Sequence, residues 1–143
     1  MEYRPTTMTD FRHVIANLSV QFLDELQRGN FTVDQVRQTM KSFIKQGNAL
    51  TLTHNGAILA ILGYIVVEGV IHTAFPSTPA FFQRDTSRFG KKLMRLVQAK
   101  EGNLPIISHS YTNDLKVARW YKIIGYRNIE TTNTRNVYVL DPA

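Results

Sequence analysis

The stretch NDLKVARWYKIIGY, residues 113–126, decides the fold because it combines a helix start, an amphipathic helix and a helix stop. Asn113 or Asp114 can accept hydrogen bonds from the free amides of the first helical turn. Apolar residues recur at helical spacing at Leu115, Ala118, Tyr121 and Ile124. Gly125 then supplies the left-handed residue that ends many helices. A helix of about three turns is unstable alone in water, so it must pack against a larger structure.

Length and composition limit the kind of protein. The chain has 143 residues, of which 43% are hydrophobic, so we expect one domain over residues 1–143. The absence of cysteine excludes disulfides, thiolate metal sites and cysteine nucleophiles, and it fits a reducing compartment. The longest apolar run, residues 57–67, is far shorter than the roughly 20 residues that span a bilayer. The N-terminus MEYRPTT lacks the apolar core of a signal peptide, so the expected location is cytoplasmic.

Positive charge is concentrated in one part of the chain, whose formal net charge is +6. The cluster consists of Arg84, Arg88, Lys91, Lys92, Arg95 and Lys100. Three explanations stay open at this stage. The cluster is an exposed helix face that only helps solubility, a site for a phosphate-rich cofactor, or a nucleic-acid-binding surface.

The first third of the chain predicts a strand over residues 2–6 followed by two helices. Residues able to cap the first helix stand before its apolar stripe, at Thr7, Thr9 and Asp10. This helix is expected to continue to residues 29–30, where Gly and Asn end it. Thr32 and Gln35 have the spacing of a capping box, which predicts a second helix to about Gln46. Two helices therefore separate the first strand from the next.

The middle of the chain changes to the period of β-strands. ALTLTH alternates, Asn55-Gly56 is a strong hairpin signal, and residues 57–67 form a longer, mostly buried strand. Glu68-Gly69 predicts a second turn, which leads into a third antiparallel strand over residues 70–75. Gly63, inside the long strand, indicates a bulge or a close backbone approach.

The second half predicts a helix that ends near Gly102, a strand over residues 104–111, the helix quoted above and a closing hairpin. The expected order is strand, two helices, three strands, helix, strand, helix and two strands. Strand-helix-strand units favour some parallel pairing. We therefore predict an α/β or α+β fold, a mixed sheet of about seven strands with helices on both faces, in which residues 70–75 and 104–111 are parallel neighbours.

The quoted stretch resembles the last helix of the GCN5-related N-acetyltransferases, the GNAT family. In that family an Asn opens the helix and a Tyr lies four residues before a Gly-aromatic pair, a pattern that Tyr121, Gly125 and Tyr126 match. Asn113 lies eight positions before Tyr121, one more than the usual seven. The opening YRPTTMTDF and the order of elements over essentially the whole chain also resemble the family.

This resemblance implies that acetyl-coenzyme A lies where strands 70–75 and 104–111 splay apart, with its diphosphate on the following helix N-terminus. The family signature is Gln/Arg-x-x-Gly-x-Gly/Ala. Asp85 stands at its first position, Arg88 at its first Gly and Gly90 at its second. The implied cofactor-binding residues are Phe75, Arg84, Ser87, Arg88, Phe89, Gly90, Lys91 and Asn113. The alternative for Gly90 is a glycine that only allows helices to pack.

The resemblance also implies direct acetyl transfer to an amine, with a base at the amine and a tyrosine that protonates the departing thiolate. No metal is required. Tyr121 is the candidate acid, and its alternative is a core tyrosine with a satisfied hydroxyl. The candidate bases are His72, His109 and Glu68, which lie on or near the two strands of the cleft. His13 and His54, on an exposed helix position and a turn, are not candidates.

Three functions are compatible with the sequence. The first is an acetyl-CoA-dependent N-acetyltransferase that acts on a small amine or a protein amine. The second is a catalytically inactive protein of the same fold, because the degenerate loop and compact size also resemble the small internal virion proteins of short-tailed phages. Such a protein would have virion or host partners and would lie in the host cytoplasm or the virion. The third is a basic nucleic-acid-binding module. The acceptor and the oligomeric state stay open.

Overall fold

The computed structural model describes all 143 residues, and its strands form a single mixed sheet. The strands are β1 (Glu2–Pro5), β2 (Ala49–His54), β3 (Ala57–Val67), β4 (Val70–Ala74), β5 (Ile106–Ser110), β6 (Arg127–Thr131) and β7 (Asn136–Leu140). Their order in the sheet is β1-β2-β3-β4-β5-β7-β6. The prediction of a mixed α/β fold with seven strands is therefore confirmed.

Five α-helices and one short 3₁₀ turn, Pro79–Gln83, connect the strands. The helices are α1 (Met8–Ala16), α2 (Val20–Arg28), α3 (Val33–Lys45), α4 (Ser87–Lys100) and α5 (Leu115–Ile124). None of them combines the length and the apolar character that crossing a bilayer requires. The chain divides into two compact units: the first holds Met1–Ile65 and Ala74–Arg84, and the second holds Val66–Thr73 and Asp85–Ala143.

Three helices, not two, separate β1 from β2, so the prediction of one long first helix is wrong. The helix breaks after Ala16, and Ser19 begins a new one by accepting a hydrogen bond from the amide of Phe22 at 3.1 Å. The Ser19 amide donates to the Ser77 carbonyl at 2.8 Å, and the two hydroxyls lie 3.1 Å apart. These bonds fix Ser19 outside a helical conformation. The predicted capping box of α3, between Thr32 and Gln35, is confirmed.

Gly63 marks a close approach inside the first unit, as the sequence indicated. A Cβ atom at this position would lie 2.7 Å from Cδ2 of Phe43 and 2.8 Å from Cε of Met40. Both side chains belong to α3, so the missing side chain lets this helix pack directly on β3. The two turns that flank β3 are also confirmed, because residues 55–56 and 68–69 have positive φ angles.

The second unit contains the predicted parallel pair, β4 and β5. Ile71 pairs with Ile106 and His72 with Ile107, and no further pair follows. β5 continues to Ser110 without a partner on β4, and on its other side it pairs antiparallel with β7. The strands thus part soon after they meet. Both strands are shorter than predicted, and Phe75 lies beyond the end of β4. Phe75 belongs to the first unit, where its ring contacts that of Phe81 edge-on at 5.3 Å.

Candidate active site

Tyr121 lies on α5 with its hydroxyl at the point where β4 and β5 part. This helix begins at the N-cap Asp114, which accepts from the Lys116 amide at 2.9 Å, and ends at Gly125, whose φ is 115°. The predicted start and stop are therefore confirmed, with Asp114 rather than Asn113 as the cap. The Tyr121 hydroxyl is hydrogen bonded to Oγ of Ser108 at 2.8 Å. Ser108 directly follows the last β5 residue that pairs with β4.

Aromatic neighbours hold the Tyr121 ring in this position. It stacks on Tyr138 with the ring centres 4.2 Å apart and the planes 6° from parallel. Trp120 and Tyr126 contact it edge-on at 5.3 and 5.1 Å. Ser108 and Tyr138 are direct cross-strand partners on β5 and β7, so the hydroxyl partner and the stacking partner share one face of the sheet. The ring is fixed, and only its hydroxyl reaches the gap between the strands.

His72 and His109 lie on the opposite face of these strands. His72 pairs with Ile107, and His109 is two residues further along β5, on the same side as Ile107. Ser108 lies between them in sequence and points the other way. The acid candidate and the two histidine candidates are thus on either side of the strand opening.

The environment of His109 favours the neutral imidazole. Partial burial lowers the pKa of its ring, and the neighbouring side chains of Arg135 and His72 lower it further, while Glu130 acts in the opposite direction. The neutral form of this ring is therefore favoured more than in an ordinary histidine, whose pKa is 6.5. Arg135 and Glu130 form a long ion pair at 3.6 Å.

Glu68 lies away from this group. It occupies the turn before β4, with a positive φ of 49°, at the end of the strand opposite to the gap. The structure therefore brings His72 and His109 to the strand opening and leaves Glu68 outside it.

The first amide of α4 is hydrogen bonded to a carboxylate. Oδ1 of Asp85 accepts a hydrogen bond from the Ser87 amide at 3.0 Å and from the Ser87 hydroxyl at 2.6 Å. Both bonds lower the pKa of Asp85, and the bond from the Ser87 hydroxyl has the larger effect. The positive charge of Arg88 lowers this pKa by a smaller amount. Ser87 is buried, whereas Arg88 and Lys91 are exposed. The Asp85 carboxylate thus engages an amide that the family resemblance assigned to the diphosphate.

Gly90 lies at the contact between α4 and α5. A Cβ atom there would lie 3.0 Å from Cδ1 of Ile124 and 3.0 Å from Cζ2 of Trp120. The same tryptophan donates its indole N–H to Oγ1 of Thr86 at 3.1 Å. Gly90 thus has the helix-packing role that the sequence left as an alternative.

The other implied cofactor residues belong to different elements of the chain. Phe89 is half-buried on α4, and Asn113 is exposed immediately before the cap of α5. Arg84 belongs to the first unit, where its Nε is buried and has no hydrogen-bond partner.

Sequence reasoning missed Ser108 and Tyr138. The alternation of Ile106, Ser108 and Ser110 into buried positions was the only signal for the first of them.

Comparisons with known proteins find matches among solved structures only. No protein-family model matches the chain, and no curated protein matches its sequence. The PaiA N-acetyltransferase from Thermoplasma acidophilum, in complex with coenzyme A, is similar with a TM-score of 0.73 and 9% identity, over 99% of this chain and 98% of that one. A GNAT-family acetyltransferase from Bacillus anthracis has a TM-score of 0.67 and 15% identity, over 96% and 92% of the two chains.

A third similar structure is yncA from Salmonella typhimurium, which is described with its cofactor acetyl-CoA. It has a TM-score of 0.64 and 12% identity, and the match covers 99% of this chain and 93% of that one. At such identities the similarity concerns the arrangement of helices and strands. The predicted resemblance is confirmed at that level, and the chain has the fold of the GNAT acetyltransferases.

Proposed function

We propose that the protein is an acetyl-CoA-dependent N-acetyltransferase in which Tyr121 is the general acid. The observation that carries the proposal is the Tyr121 hydroxyl, 2.8 Å from Ser108 at the opening between β4 and β5. The proposal is supported by the fold, because similar proteins of this fold are described with coenzyme A or acetyl-CoA. The acceptor is an amine on a small molecule or a protein.

The chemistry requires two proton transfers. The amine nitrogen attacks the thioester carbonyl carbon, a C–N bond forms, and the carbonyl oxygen takes the negative charge. Collapse of this intermediate breaks the C–S bond, and Tyr121 donates its proton to the departing thiolate. The extra proton of the amine goes to His109, whose lowered pKa favours the neutral ring that can accept it. Ser108, hydrogen bonded to the Tyr121 hydroxyl, can pass it the proton that replaces the one donated.

The chain offers two kinds of groups for the coenzyme. Beyond Ile107, β5 has backbone amides and carbonyls without β4 partners, and these can bind the amide groups of the pantetheine arm. The first amides of α4, with Arg88 and Lys91 beside them, suit the diphosphate. Asp85 must first release the Ser87 amide, because the carboxylate and the diphosphate compete for it.

Replacing Asp85 by asparagine should therefore tighten coenzyme A binding. Asparagine keeps an oxygen that can cap Ser87 but removes the negative charge. A charge at a helix N-terminus is worth about 0.3–1 kcal/mol, which corresponds to a roughly two- to fivefold lower Kd. Calorimetric titration of the whole protein with coenzyme A at low salt measures this change and tests the proposed function itself.

The matched control is Asp34→Asn, which removes the same charge from the first turn of α3 and should leave the Kd unchanged. If coenzyme A binds but Asp85→Asn does not tighten it, the diphosphate lies elsewhere. If neither protein nor variant binds coenzyme A, the proposed function fails.

The pH dependence of the reaction should identify the base. The pKa of His109 is lowered from 6.5, so kcat/KM should fall in acid, below about pH 6.5, more steeply than titration of the acceptor amine alone would cause. In His109→Gln this acid-side fall should disappear, and kcat/KM at neutral pH should drop by about 10²-fold or more. The matched variant is His72→Gln. If the acid-side fall is lost in His72→Gln and retained in His109→Gln, then His72 is the base.

A second candidate function is a non-catalytic protein of the same fold, such as a phage structural or virion-assembly protein. The observation that favours it is the Asp85 carboxylate, which binds the first amide of α4, that of Ser87, without any cofactor. This candidate predicts no binding in the titration above.

A further inference from the structure

The face of the sheet that carries the candidate base also carries a pair of opposite charges. His109, Val137 and Glu130 are successive cross-strand partners on β5, β7 and β6, so they form one row on a single face. Neighbouring strands are about 4.8 Å apart, which separates the Cα atoms of His109 and Glu130 by about 10 Å. Arg135, just before β7, reaches this face because its guanidinium forms an ion pair with Glu130. The whole group belongs to the second unit.

The ion pair between Arg135 and Glu130 is loose and accessible. Nη2 and Oε2 are 3.6 Å apart, too far for a hydrogen bond, and the two side chains are 37% and 49% exposed. On the neighbouring strand, by contrast, Nε of Arg127 donates a hydrogen bond to Asp141 at 2.8 Å. An exposed pair without a hydrogen bond contributes little to stability, so an external carboxylate can replace Glu130 on the guanidinium at small cost.

Arg135 lies close enough to His109 to act on its ring. Among the neighbouring side chains it lowers the pKa of His109 most, and Glu130 acts in the opposite direction. A group bound to the guanidinium is therefore held beside the imidazole. Ser108 and the Tyr121 hydroxyl are on the other face of the strands, at the side where the thiolate is proposed to leave.

We infer that the acceptor is an amine that carries a carboxylate, such as an amino acid, and that Arg135 binds this carboxylate. The inference rests on the proposed function and gives its acceptor a chemical class. A guanidinium presents a planar pair of donors that matches the two oxygens of a carboxylate. The amine nitrogen forms the new C–N bond and gives its extra proton to His109, so the products are an N-acetylated amino acid and free coenzyme A.

The charges on this face favour a carboxylate on the acceptor over a second positive group. A polyamine would have to bring a further positive charge next to Arg135, which repels it. Glu130, the carboxylate that acts on His109, already faces that guanidinium. The formal net charge of +6 also attracts anionic acceptors to the protein.

Thiol release from acetyl-CoA with matched pairs of acceptors tests the inference. Three amino acids of increasing length, glycine, β-alanine and 4-aminobutanoate, are each compared with their amides, which keep the amine but lack the negative charge. With kcat/KM expressed for the unprotonated amine, at least one amino acid should exceed its amide by about 10-fold or more, because hydrogen bonds between charged groups are strong. Arg135→Gln should lower kcat/KM for that amino acid by about the same factor and leave the value for its amide unchanged.

Two further variants separate this role from a structural one. Glu130→Gln removes the group that competes for Arg135, so the amino acid should react as well as with the parent protein or better. Arg127→Gln removes the same charge from the neighbouring strand. Because Arg127 is already bound to Asp141, this variant should keep the parent's ratio of amino acid to amide.

Equal losses in Arg135→Gln and Glu130→Gln would mean that the ion pair only supports the hairpin, and the inference would be wrong. It would also be wrong if the parent protein used the amides or simple diamines as well as the amino acids. In those cases thiol is still released and the proposed function stands. A parent protein that releases no thiol with any amine would overturn both.

Discussion

Replacing Tyr121 by phenylalanine is expected to lower turnover by about 10²–10⁴ while changing the free energy of unfolding by about 1 kcal/mol. The ring keeps its stacking on Tyr138 and its edge contacts, so packing is preserved. Only the hydroxyl is lost, and with it the proton for the thiolate and one hydrogen bond to Ser108. Steady-state turnover and urea unfolding measure the two effects.

Tyr126→Phe is the matched control for this variant. The Tyr126 hydroxyl is buried without a hydrogen-bond partner, and burial raises the pKa of this phenol well above its usual value. Removing it should leave turnover unchanged and should not lower stability. If Tyr121→Phe instead loses several kcal/mol of stability with little loss of turnover per folded molecule, then Tyr121 is a core tyrosine and not the acid.

Replacing Gly90 by valine is expected to destabilise the protein by about 1–3 kcal/mol, because the new side chain overfills the contact between α4 and α5. Its Cβ alone would lie 3.0 Å from atoms of Ile124 and Trp120, and valine adds two methyl groups. Since α5 carries Tyr121, turnover should fall as well. Urea unfolding followed by circular dichroism measures the stability change.

Ala99→Val is the control, because it introduces the same side chain at an exposed position of the same helix. It should cost only the few tenths of a kcal/mol that separate the helix propensities of alanine and valine. A Gly90 variant as stable as this control would show that the helix contact is not tightly packed. If the Gly90 variant keeps its stability but loses coenzyme A binding, then Gly90 has a role at the diphosphate.

Local signals in the sequence predicted most of the fold correctly. Turns such as Asn55-Gly56 and the capping box at Thr32 depend on residues a few positions apart, which the sequence displays directly. The break between α1 and α2 could not be predicted in this way. It depends on hydrogen bonds between Ser19 and Ser77, which are 58 positions apart.

The position of the candidate acid, Tyr121, could be predicted from the sequence, whereas the residues around it could not. The start and stop of α5 located Tyr121, because they are local features. The partner of its hydroxyl, Ser108, follows from how the helix packs on β5. The roles of Asp85 and Gly90 likewise depend on contacts at the helix terminus and between helices, which the glycine signature alone does not reveal.

Release of free thiol from acetyl-CoA in the presence of amines tests the central claim most directly. The chain contains no cysteine, so a thiol reagent reports only the coenzyme A that is set free. The proposed function predicts amine-dependent thiol release by the parent protein across a panel of small amines and peptides, a loss of about 10²-fold or more in Tyr121→Phe, and no loss in Tyr126→Phe. Folded parent protein that releases no thiol above the uncatalysed rate with any of these amines would contradict it.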